Sequence, residues 1–304
     1  MRRRRASVVV GLTFGLLAAG CGEAGEDADR TGSPAPTVAP SPGSSASDDG
    51  RASPTTPATT PAPPHTATPP ESPTAPAPST PAPPSIPVPD TRVPAALLGT
   101  DWERIPTDGR VVALTFDGGS SDSALTSILS TLARQQVPAT FFVTGDFARR
   151  YPGQVAAITS AGHRVGNHSD SHEHYPALTD AEIAGDLADA EAAIVAAGAR
   201  AAPWFRFPYG DRTSADIRAV NAAGYVPVRW TVDTLGWKGT SGGQTTATVV
   251  QRTLGAAQPG EIVLMHVGAN PDDGTTLDAD ALPEVIAGLR AAGYGFVTVD
   301  QLRG

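Results

Sequence analysis

The stretch Val111-Val112-Ala113-Leu114-Thr115-Phe116-Asp117-Gly118-Gly119 decides the fold of this chain. A run of apolar residues with one threonine stops at a carboxylate, and two glycines follow at once. A run with no polar alternation has no solvated face, so it reads as a strand covered on both sides, as in a parallel sheet flanked by helices. Such a strand delivers its last side chain to the carboxyl end of the sheet, where α/β proteins gather their chemistry. Asp117 is therefore a candidate catalytic carboxylate, and the neighbouring position, Gly118, offers it no side-chain partner.

The same kind of run recurs along the chain. Strands are predicted at 110–116, 139–144, 164–167, 204–207, 226–232, 261–266 and 296–299. Helices are predicted between them at 122–135, 147–161, 179–197, 214–223, 247–257 and 278–292. The third helix has the clearest signature. Thr179 with Glu182 three residues on forms a capping box, and Ile183, Leu187, Ala190 and Ile194 then recur on one face. Strand–helix alternation of this kind predicts an α/β protein with a parallel sheet. Six or seven units favour a distorted or partial (β/α)7–8 barrel over a flat doubly wound sheet.

The rest of the chain has a different composition. Four arginines, Arg2 to Arg5, precede an apolar stretch at 6–20, the pattern of a secretory signal peptide at 1–20. The apolar core is shorter than the roughly 20 residues a membrane span needs. The one cysteine of the chain closes Leu17-Ala18-Ala19-Gly20-Cys21, which resembles the lipobox of bacterial lipoproteins. That resemblance implies a lipidated Cys21 and a protein held on the extracellular face of the bacterial cytoplasmic membrane. An ordinary secretory signal or an uncleaved anchor would share most of these features. Residues 22–98 are Pro, Ser, Thr, Ala and Gly with few large apolar groups, too few to offset ordering entropy, and read as a disordered linker. The folded domain is expected at 105–304. The formal net charge is −9, and no basic stripe lies outside the leader, which argues against a nucleic-acid partner. A monomer is expected.

The strand ends carry further reactive side chains: His168 and His172, Arg206, Asp233 and Trp237, and His266. His168 and His172 lie four apart, a spacing at which a helical or tight-turn backbone lets two imidazoles share a metal. His174 in the same stretch allows the plainer reading of an exposed His-rich segment. Arg206 precedes Phe207-Pro208-Tyr209-Gly210, so its guanidinium is either aimed at an anion or simply lies beside a surface turn. His266 ends a buried strand as a core histidine or as an acid/base group.

Taken in order, these pieces resemble the NodB-homology polysaccharide deacetylases, carbohydrate esterases that remove acetyl groups from glycans. Thr115-Phe116-Asp117-Gly118-Gly119 resembles the family's Thr-Phe-Asp-Asp-Gly. His168-Ser169-Asp170-Ser171-His172 is similar to its His-Ser/Thr-x-x-His, and Arg206-Phe207-Pro208-Tyr209 to Arg-x-Pro-Tyr. Asp233-Thr234-Leu235-Gly236-Trp237 resembles Asp-x-x-Asp-Trp, and Leu264-Met265-His266 resembles Leu-x-His. The resemblance implies metal-dependent hydrolytic deacetylation of an N- or O-acetylated wall polysaccharide, peptidoglycan or a chitin-like glycan. It implies a divalent metal, zinc before cobalt, nickel or manganese, on His168 and His172. It implies Asp117 as general base, Arg206 orienting it, the Tyr209 backbone N–H at the oxyanion and His266 as the acid. Trp237 and Leu264 would wall the acetyl pocket.

Two family carboxylates are missing. Gly118 stands where the third metal ligand is expected, and Gly236 where an aspartate tunes the acid histidine. Asp122 is the best-placed substitute ligand by sequence, with Asp170 second, or Asp117 itself turns to the metal. Asp233 is the expected substitute at His266. The alternative from another class is a lipoprotein of the same fold that binds wall glycan without cleaving it.

Overall fold

A computed structural model describes residues 93–304. The leader, Cys21 and nearly all of the expected linker lie outside the described residues. The runs named above become eight strands: β1 (Val111–Gly118), β2 (Thr140–Val143), β3 (Arg164–Asn167), β4 (Trp204–Phe205), β5 (Val226–Pro227), β6 (Val232–Asp233), β7 (Glu261–His266) and β8 (Gly295–Val297). The helices between them are α1 (Leu125–Gln135), α2 (Gly145–Arg150), α3 (Pro152–Ser160), α4 (Asp180–Ala196), α5 (Ser214–Ala222), α6 (Thr246–Ala256) and α7 (Leu277–Ala291). Every pairing between these strands is parallel, in the order β5-β4-β3-β2-β1-β7-β6. β8 pairs with the first residues of β1, where β2 has not yet joined. The result is a parallel sheet curled into a distorted half-barrel with helices outside it, as the alternation predicted.

β1 is central because it is buried on both faces. From Val112 to Phe116 every residue is sealed from solvent. Phe116 stacks on Phe141 of β2 at 5.0 Å, and Leu114 and Met265 join the same core as the helices. α4 forms where its capping box predicts: Thr179 accepts from the Glu182 N–H while Glu182 accepts from the Thr179 N–H. Its residues Ile183, Leu187, Ala190 and Ile194 are buried. No helix among the described residues is long and apolar enough to cross a membrane.

Several boundaries differ from the sequence reading, and three of the differences have a clear physical cause. The predicted helix 147–161 is two helices, because Pro152 has no N–H to donate and forces Tyr151 out of the helical region (φ −128°, ψ 54°). The predicted strand 226–232 is split because it changes partner. β5 pairs with β4 and β6 with β7. Between them the incoming chain fills the seam: the Trp102 N–H donates to Pro227 O, the Arg229 N–H to Trp102 O, and the Thr231 hydroxyl to Glu103 O. Described residues also pack onto the domain ahead of its expected start at 105. Leu97 is buried in a second core cluster with Trp204 and Ile262, and the Trp102 indole donates to Leu97 O.

Candidate active site

Strand register assembles the site. Asp117 of β1 lies directly beside His266 of β7. Val143 of β2 lies beside Asn167 of β3, and Asn167 beside Phe205 of β4. His168 and Arg206, each one residue beyond those pairs, therefore emerge at the same end as Asp117. Asp117, His168, His172, Tyr209, Asp233, Trp237, Leu264 and His266 all line one cleft of about 1050 Å³.

Arg206 is wholly buried beneath the cleft and uses its whole fork. Nη1 donates to Asp117 Oδ1 at 2.7 Å, Nη2 to Thr115 Oγ1 and Arg229 O, and Nε to Val228 O. Its plane lies 4.2 Å from the ring centroid of Phe142. A planar cation with fixed donors suits this place, where a lysine's point charge could not reach four acceptors. Burial opposes a charge on Asp117, but Arg206, His168 and His266 outweigh it and hold the carboxyl below its ordinary 3.8. Asp117 is thus an ionised carboxylate, with one oxygen taken by Arg206 and the other 3.5 Å from His168 Nε2.

The histidine pair sits on a strained loop rather than a helix. Ser169 and His172 both occupy the left-handed region, at φ 72° and 66°, a conformation that costs a non-glycine residue about 1–2 kcal/mol each. The loop is pinned locally: the Ser169 N–H donates to Asn167 Oδ1 and the His172 N–H to Ser169 Oγ. The two rings meet edge-on at 4.9 Å. His168 Nδ1 donates to the Arg206 carbonyl, which fixes the tautomer and leaves Nε2 a lone pair toward the cleft. Burial keeps both imidazoles neutral, His172 pushed down to about 4 by burial and by His168.

Neutral, oriented imidazoles are good metal donors, but the set is incomplete. Gly118 has no side chain, and a β-carbon there would stand 3.1 Å from Val267 Cγ2 and 3.4 Å from Phe147. Asp122, the expected substitute, is turned away: its Oδ2 accepts from Gln154 on α3. Asp170 is paired with Arg149. Among the described residues no group of three His, Cys, Asp or Glu is disposed to hold a metal ion. A catalytic zinc takes three protein ligands, so the residues present do not fit a three-ligand centre. What the chain's own side chains can do follows from their positions and protonation states.

The other wall carries the acid. His266 Nδ1 lies 3.5 Å from Asp278 Oδ2, an ionic contact longer than a well-formed hydrogen bond. Burial opposes the imidazolium, but Asp278, with Asp117 and Asp233 further off, raises His266 above its ordinary 6.5. The expectation that Asp233 would contact His266 is corrected. Its Oδ1 accepts from the Leu235 N–H and its Oδ2 from the Trp237 indole, so its carboxylate caps the 234–237 turn. Asp278, in the first turn of α7, was missed by sequence reasoning; a helix-opening acid twelve residues past His266 was its only signal. Tyr209 lies in the turn after Arg206 with φ 58° and ψ −1°, its exposed ring stacked on His174 and edge-on to His172. Trp237 is half-exposed on the rim and Leu264 is buried at the wall.

The sequence and the fold are similar to those of known proteins. The family model for polysaccharide deacetylase matches residues 104–228. A peptidoglycan-N-acetylglucosamine deacetylase of Bacillus cereus is 31% identical over 197 residues, 65% of this chain and 70% of the relative. A chitooligosaccharide deacetylase of Bradyrhizobium sp. is 34% identical over 203 residues, 64% of this chain and 90% of the relative. Among solved structures, a variant of a Bacillus anthracis pseudoenzyme of carbohydrate esterase family 4, described as having restored enzymatic activity, is 29% identical with a TM-score of 0.60. That match covers 66% of this chain and 70% of the other. A chain this close to such relatives, whose half-barrel brings Asp117, His168 and His266 to one cleft with Arg206 beneath it, belongs to the NodB-homology polysaccharide deacetylases, hydrolases of carbohydrate esterase family 4.

Proposed function

We propose that this protein hydrolyses the acetamide of N-acetylated sugars in a bacterial wall polysaccharide, peptidoglycan before chitin-like glycans. The observation that carries the reading is the placement of an ionised Asp117, locked by Arg206, beside a His266 biased toward its protonated form. These are the two protonation states that a base and an acid need at the start of one hydrolysis. Water held against Asp117 attacks the acetyl carbon as the carboxylate takes its proton. The carbonyl oxygen becomes an oxyanion within reach of the Tyr209 backbone N–H. The C–N bond then breaks, His266 gives its proton to the departing amine, and acetate and a free amino sugar leave. Leu264 and Trp237 form the apolar wall against which the acetyl methyl packs.

His168 and His172 are the groups on this chain that would engage a divalent ion, zinc ahead of cobalt, nickel or manganese. When bound, such an ion would supply polarisation of the acetyl carbonyl. We further read Cys21 as lipidated and residues 22–92, ahead of the packed Leu97, as a tether, which at about 3.1 Å per residue would reach on the order of 200 Å from the outer face of the membrane into the wall. Acetate release from a panel of N- and O-acetylated wall glycans tests the reading. Asp117→Asn and His266→Ala should each lower turnover by about 10²–10⁴-fold. Glycan binding that survives both changes, with no acetate from the unaltered protein, would show a binder instead.

A further inference from the structure

Gly236 and Asp278 occupy one space. A β-carbon on Gly236 would lie 2.2 Å from Asp278 Oδ1 and 2.6 Å from its Cγ. The glycine is needed there for room and not for backbone freedom, since its φ lies outside the left-handed range. The carboxylate that fills the room is almost fully buried and wholly committed. Oδ1 accepts from the Thr234 hydroxyl at 2.6 Å, and Oδ2 accepts from the His266 N–H at 2.9 Å while facing His266 Nδ1 at 3.5 Å. Asp278 thus reaches from α7 across to β7, ties the strand end bearing His266 to the turn bearing Trp237, and sets a negative charge behind the imidazole.

We infer that Asp278 is the positioning residue for the acid His266, delivered from α7 into the space that Gly236 leaves open at the end of β6. It holds Nδ1 protonated and turns Nε2 toward the cleft, where the leaving amine would lie. The charged and titratable groups that face His266 are Asp278 from α7, Asp117 from β1, His168 and His172 beyond β3, and Asp233 from β6. Of these carboxylates, Asp278 is the one with its oxygen against the ring. Asp117 is neutralised by Arg206, and Asp233 is spent on its own turn. The inference rests on the reading of His266 as the proton donor.

The test is the titration of the His266 imidazole by NMR of ¹³C-histidine-labelled protein, alongside the pH profile of acetate release. Asp278→Asn keeps the shape and removes the charge. It should lower the His266 pKa by about one unit and move the alkaline limb of kcat/KM down by the same amount, with kcat falling more than KM rises. A folded Asp278→Asn with an unmoved His266 pKa would overturn the inference, because a merely structural aspartate would change stability alone. Should Asp278→Asn fail to fold, Gly236→Asp/Asp278→Ala decides the matter. A His266 pKa returned to the native value supports exchange of one carboxylate for the other, and a value left low overturns it. Gly236→Asp alone should be poorly folded, since two carboxylates would then claim one site. Absence of acetate release from the unaltered protein would overturn the reading of His266 as acid, and the NMR shift would still report the Asp278 coupling by itself.

Discussion

Arg206 and Gly118 set the character of the site at the scale of single residues. Arg206 makes four hydrogen bonds without touching solvent, and breaking a buried pair from one side costs about 3–5 kcal/mol. Arg206→Lys should therefore lower stability by about that amount in chemical denaturation, because an ammonium cannot span Asp117, Thr115, Val228 and Arg229 together. The same pair sets an acid limit. The Asp117 carboxyl sits below its ordinary 3.8 in the folded protein, so the unfolded chain binds the proton more readily. Its stabilising contribution is fully present above that value and is lost as pH falls through the folded one, and Asp117→Asn should flatten the acid arm of the stability curve. Gly118 makes the opposite kind of statement. An added β-carbon meets Val267 at 3.1 Å, and a carboxylate beyond it would press on apolar groups. Gly118→Asp should cost about 2 kcal/mol, a fall in Tm of roughly 4–8 °C.

At the scale of elements, β7 joins two ends with opposite electrostatics. Its last residue, His266, lies in the cleft; its first, Glu261, is fully buried at the far end of the barrel with Oε1 unpaired. Burial pushes Glu261 up to about 7 from an ordinary 4.5. The folded state therefore holds this proton more tightly than the unfolded chain. The contribution of Glu261 to stability should be greatest below pH 4.5, fall as pH rises, and reach its floor above about 7. Glu261→Gln should raise Tm at pH 8 and leave it unchanged at pH 4, a difference worth about 1–2 kcal/mol. The short strands β4, β5 and β6 show why some elements escaped a pattern-based reading. Residues 226–232 look like one apolar strand, yet two neighbours and the segment 102–105 share their hydrogen bonds. Pairing partners are a property of the sheet, and no local period records them. The break at Pro152, by contrast, has a local cause and was open to a closer reading of the proline.

Across the whole molecule, the cleft exists because the strand ends converge, and its donor set follows from that convergence. Two imidazoles without a third ligand should bind zinc weakly. Chelation should leave Tm unchanged, because the loop that carries both histidines is pinned by its own hydrogen bonds to Asn167 and Ser169. His168→Ala and His172→Ala should each abolish zinc uptake in calorimetric titration, while Asp122→Ala should leave it intact because Gln154 holds that carboxylate elsewhere. Equal loss in Asp122→Ala would show that the loop moves to complete the site. The amino-acid sequence by itself determined the strand–helix alternation, the capping box of α4, and the candidate set Asp117, His168, His172, Arg206 and His266, because periodicity, caps and residue chemistry are written locally. Only the tertiary structure decided which carboxylates serve them. Asp122, Asp170 and Asp233 are nearest in sequence, yet Gln154, Arg149 and the 234–237 turn claim them. Asp278 reaches His266 because α7 packs its first turn over the end of β7 and Gly236 leaves that space empty. A carboxylate acts on what lies within a few ångströms of it through space, and that distance is set by packing rather than by position along the chain.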